Sequence, residues 1–289
     1  MLNRDSLHRF VFSTRGVRGE LVQLDASYRA VLHERNYPSP IAEQLGESLA
    51  AVSLLSATIK FHGSLILQIQ SQGPLHTLVA QATHAGTIRG LSRWNSKRPL
   101  ADDEPLYGDG RLVITLEPEQ GEPYQGIVGL RNQRLADSLE TYFEKSEQLD
   151  TRLWLAANGE TAVGLMLQVL PGQEAEVSTW QSLNLLGDTV TRDELLTLDA
   201  ESLLYRLFHE QGVRLLDSSP VAFRCHCNEA RIANALRVFE RSELDQILHE
   251  EGQISVDCEF CNKHYAFDSV DLEALLSDTV TAAPPLQSQ

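Results

Sequence analysis

Cys225-His226-Cys227 and Cys258-Glu259-Phe260-Cys261 contain all four cysteines of this 289-residue chain. A CxxC turn directs two thiolates at one point, which is half of a tetrahedral metal site. The intervening segment is helix-prone, so it can bring the CxC pair to the other side. Zinc prefers four soft thiolates in tetrahedral geometry. We therefore predict one zinc ion per chain, bound by Cys225, Cys227, Cys258 and Cys261. Four protein ligands leave no position for a catalytic water, which indicates a structural or regulatory metal.

Other interpretations of the two pairs stay open from the residues alone. Four cysteines also hold iron–sulfur clusters. A thioredoxin-like active site fits less well, because its CxxC normally opens a helix in a βαβ unit. His226 and His264 lie beside the cysteines, but four thiolates complete the site without them, which favours surface positions for both. A plain zinc ribbon that stabilises an enzyme or a docking surface is favoured over a regulatory switch at this stage.

The cysteine segment is small, and its small size limits its stability. Units of this size bury too little apolar surface to be more than marginally stable without metal or disulfides. Metal binding would then supply folding free energy for the segment. Oxidation of the thiolates removes the ligands, so an oxidant would act as an unfolding signal.

The composition excludes several classes of protein. The net charge is −16, and the stretch from Cys225 onward has four basic and twelve acidic residues, whereas nucleic-acid binding depends on Lys and Arg neutralising phosphates. No apolar run approaches the ~20 residues that span a bilayer. The first residues do not resemble a signal peptide. We expect a cytoplasmic protein that binds neither nucleic acid nor membranes.

The fold class predicted from the rest of the chain is α+β, with a large N-terminal α/β-type domain, a helical linker and a small C-terminal zinc-binding domain. In the first domain, residues 1–177, apolar residues from Ile41 to Ile59 recur at helical spacing, with Ser39 as the predicted N-cap and Pro40 at the first helical position. A second helix is predicted over 135–148. The predicted strands are 10–12, 21–24, 65–69, 75–82, 112–116, 153–157 and 162–170.

The linker is predicted to cover residues 178–222. Thr191 and Glu194 have the spacing of a capping box, and Asp199 is the predicted cap of a second helix that ends at Gly212.

The zinc-binding domain is predicted to cover 223–277, followed by a flexible tail at 278–289. It is expected to contain helices at 229–238 and 242–249, the second capped by Ser242 and Asp245. Strands are predicted at 253–256 and 264–267.

Several stretches of the sequence resemble one known family. Residues 220–227 (PVAFRCHC) and 256–268 (VDCEFCNKHYAFD) are similar to the C-terminal module of the heat-shock protein 33 family, the redox-regulated holdase chaperones of bacteria. Residues 142–148, 164–168 and 207–210 resemble further family segments in the same order. The chain departs from the family at Phe239-Glu240, where a Leu-Gly pair is frequent, and after Cys227.

The resemblance implies a mechanism and partners. A reduced, zinc-bound form would be inactive or weakly active. Oxidation would pair Cys225 with Cys227 and Cys258 with Cys261, release zinc, and unfold the module together with the linker. Apolar surface exposed on the first domain and the linker would then hold unfolding client proteins without ATP, and the activated protein would be a homodimer. The chain has no Walker-type glycine loop that would suggest an ATPase.

The competing hypothesis is an enzyme of unknown activity with an inert structural zinc ribbon. Its catalytic residues would be sought among the histidines and aspartates of the first domain. These are scattered without a recognisable spacing, which favours surface positions: His62, His76, His84, Asp102, Asp103 and Asp109. We therefore expect a binding protein that acts in the stress response and has no catalytic residues.

Overall fold

A computed structural model describes residues 4–13, 16–33, 35–59, 62–97, 100, 105–130, 134–170 and 176–277. These residues form thirteen strands and nine α-helices, which confirms the predicted α+β class. The chain divides into two compact units between Arg224 and Cys225. The predicted tail, 278–289, lies outside the described residues, as do Asp102 and Asp103. No helix in the described ranges is long and apolar enough to cross a membrane.

The first sheet of the N-terminal unit has five antiparallel strands in the order β10-β1-β2-β9-β8. β8 and β9, which match the predicted strands 153–157 and 162–170, form a hairpin around Asn158-Gly159. There Asn158 Oδ1 accepts hydrogen bonds from the N–H groups of Glu160 and Thr161. The strands are β1 Ser6–Val11, β2 Val17–Leu24, β8 Thr151–Ala157, β9 Ala162–Val169 and β10 Arg214–Pro220.

The second sheet has six strands in the order β11-β5-β4-β3-β6-β7. Three of them, β5, β7 and β11, were not predicted. Arginines and glycines interrupt the alternation of apolar and polar residues in β5 and β7, and β11 is only two residues long. The strands are β3 Gly63–Ser71, β4 Leu75–Thr83, β5 Thr87–Trp94, β6 Gly110–Pro118, β7 Tyr124–Leu130 and β11 Ala222–Phe223.

The main core surrounds the long helix α2, Ser39–Thr58, which contacts strands of both sheets. The prediction of Ser39 as N-cap is wrong. Ser39 is the first helical residue, and the carbonyl of Pro38 accepts the first two backbone hydrogen bonds of the helix, from Ile41 and Ala42. The shorter helices of this core are α1 Ala26–Leu32 and α3 Leu135–Tyr142, and α3 continues as a π-helix, Phe143–Glu147.

Three helices cover the other face of the first sheet: α4 Val177–Gly187, α5 Arg192–Thr197 and α6 Ala200–Phe208. The predicted capping box of Thr191 and Glu194 and the predicted cap Asp199 are both present. Phe208 is fully buried against Phe10 of β1 and against Phe12, which follows that strand.

Two side chains near or in the first sheet also bind the main chain of α5. Arg4 Nη1 donates to the carbonyl of Leu196 at 2.8 Å, and Gln23 Nε2 donates to the carbonyl of Leu198 at 2.8 Å. These carbonyls lie at the C-terminal end of the helix, where backbone acceptors lack partners within the helix.

The segment predicted as a helical linker, 178–222, ends in a strand. Residues 214–220 form β10, which pairs with β1, for example Leu7 with Ser219 and Phe10 with Leu215. This strand depends on backbone pairing with a segment about 200 positions away in the sequence, and no local pattern reports such a contact.

The C-terminal unit contains α7 Glu229–Leu236, α8 Arg241–Glu251, a hairpin of β12 Ile254–Asp257 and β13 His264–Phe267, and α9 Ser269–Ser277. Its elements match the prediction closely, but the cap of α8 does not. Glu240 and Glu243 form the capping box instead of Ser242 and Asp245, because the helix begins one residue earlier than predicted.

Candidate metal centre

Two tight chain segments present the cysteines. Cys225 and Cys227 occupy the extended stretch between β11 and α7, whose N-cap is Asn228. Cys258 and Cys261 lie in the turn that joins β12 to β13. In that turn Asn262 adopts a left-handed conformation with φ 59°, which asparagine tolerates better than most residues. Its N–H donates to the carbonyl of Cys258 at 2.8 Å. Backbone bonds therefore define the shape of the turn.

The four sulfur atoms converge. All lie within 4.8 Å of one another. The Sγ atoms of Cys225 and Cys258 are 3.7 Å apart, and those of Cys227 and Cys261 are 3.3 Å apart. Zn–S bonds of about 2.3 Å in a tetrahedron place the sulfurs about 3.8 Å from each other. None of these four cysteines forms a disulfide in the structure. The donor set and its spacing fit a tetrahedral zinc ion.

The predicted ligands form a group without histidine. Among the described residues, the only group of potential ligands that converges on one point consists of the four cysteines. His264 Nδ1 is instead 2.7 Å from Asp257 Oδ1. His62 and His84 of the N-terminal unit contact each other through their rings, with centroids 4.7 Å apart, but no metal-binding group forms around them in the described ranges.

Tyr265 is a functional residue that the sequence analysis missed. Its hydroxyl donates a hydrogen bond to Cys227 Sγ at 3.2 Å. Burial raises the pKa of the Cys227 thiol, but hydrogen bonds from Tyr265 and the neighbouring thiols outweigh it and bring this pKa down to about 7. Burial raises the pKa values of Cys225 and Cys261. The signal in the sequence was the position of Tyr265 four residues after Cys261, on the first strand after the turn.

The cysteines are also part of the hydrophobic core of their unit. Cys258 is buried among apolar side chains, and the other three cysteines pack against the same cluster. The buried apolar members of this cluster are few: Leu236, Leu244, Ile254, Tyr265, Phe267 and Leu272. A change in the bonding of the thiols therefore disturbs the packing that holds the unit together.

An α+β domain followed by a small unit with four convergent thiols fits the class of proteins with a thiolate metal site. Comparison with known proteins makes the assignment specific. The family model described as Hsp33 protein matches residues 5–268. The chain belongs to the Hsp33 family, and its function is that of a redox-regulated chaperone.

Individual relatives agree with the family match. The 33 kDa chaperonin of Nitrosococcus oceani is 55% identical over 282 residues, 98% of each chain. The 33 kDa chaperonin of a Shewanella species is 45% identical over 281 residues, 96% of this chain and 97% of the relative. The crystal structure of the 33 kDa chaperonin of Thermotoga maritima matches with a TM-score of 0.83 at 22% identity, covering 96% of this chain and 100% of the other. That structure confirms the fold. These findings give no support to the alternative of an enzyme with an inert zinc ribbon.

Proposed function

We propose that this protein is an ATP-independent holdase that oxidation of a zinc-bound Cys225, Cys227, Cys258 and Cys261 centre switches on. In this proposal it is a non-enzymatic protein of the bacterial cytoplasm, and its partners are unfolding client proteins and, once activated, a second copy of itself. It binds neither nucleic acid nor membranes. The observation that carries the proposal is the double role of the thiols, which form both the candidate metal site and part of a small core.

In the reduced state the two cysteine pairs would hold one zinc ion and join the stretch before α7 to the turn between β12 and β13. The ion, when bound, supplies a tetrahedral cross-link and keeps the thiols deprotonated. Tyr265 would hold Cys227 as a thiolate through its hydrogen bond. The four thiolates would leave no coordination position for a substrate, so the metal would serve to hold the unit in its folded form.

Oxidation by a peroxide converts each pair of cysteines to a disulfide in two steps, and this removes the metal ligands. A thiolate attacks one peroxide oxygen, the O–O bond breaks, and the sulfur becomes a sulfenic acid while hydroxide leaves. The second thiol of the pair then attacks that sulfur, a disulfide forms, and water leaves. Each pair transfers two electrons to one peroxide.

We propose that the pairs are Cys225–Cys227 and Cys258–Cys261, as the family resemblance implies. Each such bridge closes a very short loop and restrains little of the unfolded chain, so it does not replace the lost metal. Bridges across the site, such as Cys227–Cys261 with sulfurs 3.3 Å apart, would tie both ends of the unit together and keep it folded. The local pairing is therefore the one that releases the unit.

Release of the C-terminal unit is proposed to free the linker, residues 178–222, from the core domain, residues 1–177. The helices α4, α5 and α6 bury a second apolar cluster of the first sheet, including Leu21, Leu165 and Phe10. Undocking of these helices would expose that apolar surface to clients. The acidic net charge would keep the exposed surface soluble.

Light scattering of a heat-unfolded model protein tests the proposal. Peroxide-treated protein is expected to suppress aggregation, and the reduced zinc-loaded protein is expected to suppress it weakly or not at all. Zinc release, followed with a metallochromic dye, should accompany activation. Treatment of the oxidised sample with dithiothreitol and zinc is the matched control and should restore the inactive state. Equal activity of both forms, or none in either, would contradict the proposal.

A further inference from the structure

A cavity of about 580 Å³ lies between the two sheets of the N-terminal unit, at the C-terminal end of α2. Strands of both sheets line it, together with the last residues of α2 and the π-helix that continues α3. The exposed Tyr124 lies at its mouth, and the buried Leu55 and Leu65 lie at its depth. Its volume falls within the range of about 300–1,000 Å³ that is typical of small-molecule sites.

Most of the cavity wall is apolar. Six aliphatic and aromatic side chains contribute to it: Leu55, Leu65, Ile114, Leu116, Phe143 and Leu149. Walls of this kind favour a ligand with a hydrocarbon chain, because transfer of CH₂ groups from water to an apolar surface is favourable.

One wall has an unusual backbone. Phe143–Glu147 form a π-helix, and Phe143, Ser146 and Glu147 line the cavity. The next residue, Gln148, has a left-handed conformation with φ 53°, and its N–H donates to the carbonyl of Phe143. π-helices are rare and frequently occur at functional sites, and a left-handed residue other than glycine adds local strain. The backbone of this wall therefore points to a role beyond packing.

A charged group is built into another wall. The Arg18 guanidinium lines the cavity, and its Nη2 donates to Gln168 Oε1 at 2.6 Å. Gln168 is buried and donates in turn to Thr151 Oγ1 at 2.9 Å. Among the described residues, Gln168 is the only hydrogen-bond acceptor that this guanidinium reaches. Arg18 is therefore held in place with most of its N–H donors unused.

The charges around Arg18 are not balanced. Glu20, on the same face of β2, is 2% exposed, and its Oε1 is 3.9 Å from Arg18 Nε, too far for a hydrogen bond. Glu20 Oε2 has no hydrogen-bond partner within the described part of the chain. Arg9 of β1 lies directly opposite Glu20 in the sheet. Two cations thus flank one carboxylate, and one added anion would balance the excess positive charge.

We propose that this cavity binds a monocarboxylate with a long hydrocarbon chain, the chemistry of a fatty acid. The carboxylate accepts hydrogen bonds from Arg18, and the chain lies along the apolar walls. The site contains none of the cysteines, so this binding activity goes beyond the proposed chaperone function and does not depend on the state of the thiols.

Other classes of ligand fit the cavity less well. A neutral amphiphile would leave Arg18 unpaired in an apolar cavity, and a cationic one would add a like charge. An inorganic anion would leave the apolar walls uncovered. The acidic residue on the wall, Glu147, is exposed and accepts a hydrogen bond from the Tyr142 hydroxyl at 2.7 Å, so solvent at the mouth stabilises its charge.

Isothermal titration calorimetry on the reduced, full-length protein tests the ligand class. Dodecanoate, below the concentration at which it forms micelles, is expected to bind at one molecule per chain. Decanoate, which has two CH₂ groups fewer, should bind at least about fourfold more weakly. Acetate and dodecyltrimethylammonium should not bind measurably. Absence of dodecanoate binding, or equal affinity for the cationic amphiphile, would overturn the proposal.

Charge variants with opposite expected effects test the position of the carboxylate. Arg18→Gln should weaken dodecanoate binding at least about tenfold, because it removes charge-assisted hydrogen bonds. Glu20→Gln should strengthen it at least about threefold at pH 8, because it removes a neighbouring negative charge. Arg111→Gln is the matched control and should change nothing, since Arg111 bonds to Gln70 across strands in the same way but outside the cavity. Affinity that is the same in all three variants would refute the role of Arg18.

Hydrogen exchange locates the ligand without any substitution. Saturating dodecanoate should slow exchange of the amides of 142–149 at least about fivefold, because it binds only where this wall is folded. The amides of α6, which does not line the cavity, should change less. A larger change in α6 than in 142–149 would place the ligand on the surface beneath the linker helices and overturn the assignment to this cavity.

Discussion

Phe208→Ala is expected to activate the protein without an oxidant. Phe208 is fully buried at the end of α6, with its ring stacked on Phe10 at a centroid distance of 6.2 Å and edge-on to Phe12 at 5.3 Å. Truncation of a buried phenylalanine to alanine costs about 3–5 kcal/mol. Because every 1.4 kcal/mol is a factor of ten, this cost raises the population with α6 undocked at least about a hundredfold.

The assay combines client aggregation with hydrogen exchange, both on the reduced, zinc-loaded variant. Amides of 200–208 should exchange faster than in the unsubstituted protein, and aggregation of a heat-unfolded client should be suppressed. Leu54→Ala is the matched control, because Leu54 is equally buried but lies in the main core around α2. It should lower the free energy of unfolding by a similar amount and leave the requirement for oxidant unchanged.

One result would refute the reasoning. If α6 exchanges rapidly in reduced Phe208→Ala and client aggregation is unaffected, the surface beneath the helix does not bind clients. A variant that suppresses aggregation with α6 still protected would show that activation takes another route.

Four further outcomes are expected. Freshly reduced protein should contain one zinc per chain by metal analysis; iron would contradict the assignment. Cys258→Ser should lose zinc and exchange protection throughout the C-terminal unit while the N-terminal unit stays protected. Peptide mapping of chaperone-active oxidised protein should find Cys225–Cys227 and Cys258–Cys261 bridges, and dominant cross-site bridges would exclude the unfolding mechanism. Burial raises the pKa of Glu20 from 4.5 to about 7, so ionisation of this carboxyl destabilises the folded state as the pH rises through this range. In urea unfolding, Glu20→Gln should therefore raise the free energy of unfolding by about 3 kcal/mol at pH 8 and change it little at pH 4.

Local chemistry in the sequence was sufficient for much of the fold and for the grouping of the four cysteines. The capping box at Thr191 and the cap at Asp199 are set by side chains that bond within a few residues of themselves, so their spacing alone identifies them. The cysteine pairs are equally local, since the CxxC turn presents both of its thiols from one short segment.

The elements that were missed depend on distant partners. β10 exists because β1 pairs with it, and its two consecutive leucines are as compatible with a helix as with a strand. β7 contains two glycines that break its pattern, and Gly126 is required because the ring of Tyr142 occupies the space of a side chain there. The hydrogen bond from Tyr265 to Cys227 likewise joins residues 38 positions apart.

The short stretch before Cys225 has a consequence for how the switch resets. The N–H of Val221 donates to Asp5, that of Ala222 to Gly86 and that of Arg224 to Ile88, each at 3.0 Å. Before the linker is released, these bonds keep an unfolded C-terminal unit tethered to the N-terminal unit one residue before its first thiol. An unfolded chain extends about 5–6 Å times the square root of its residue number, so the thiols remain within a few tens of Å of that anchor. The effective concentration of one thiol pair near the other is then of the order of millimolar, whatever the concentration of the protein. Re-formation of the four-thiol site is therefore unimolecular in protein, and its speed follows the supply of reductant and zinc.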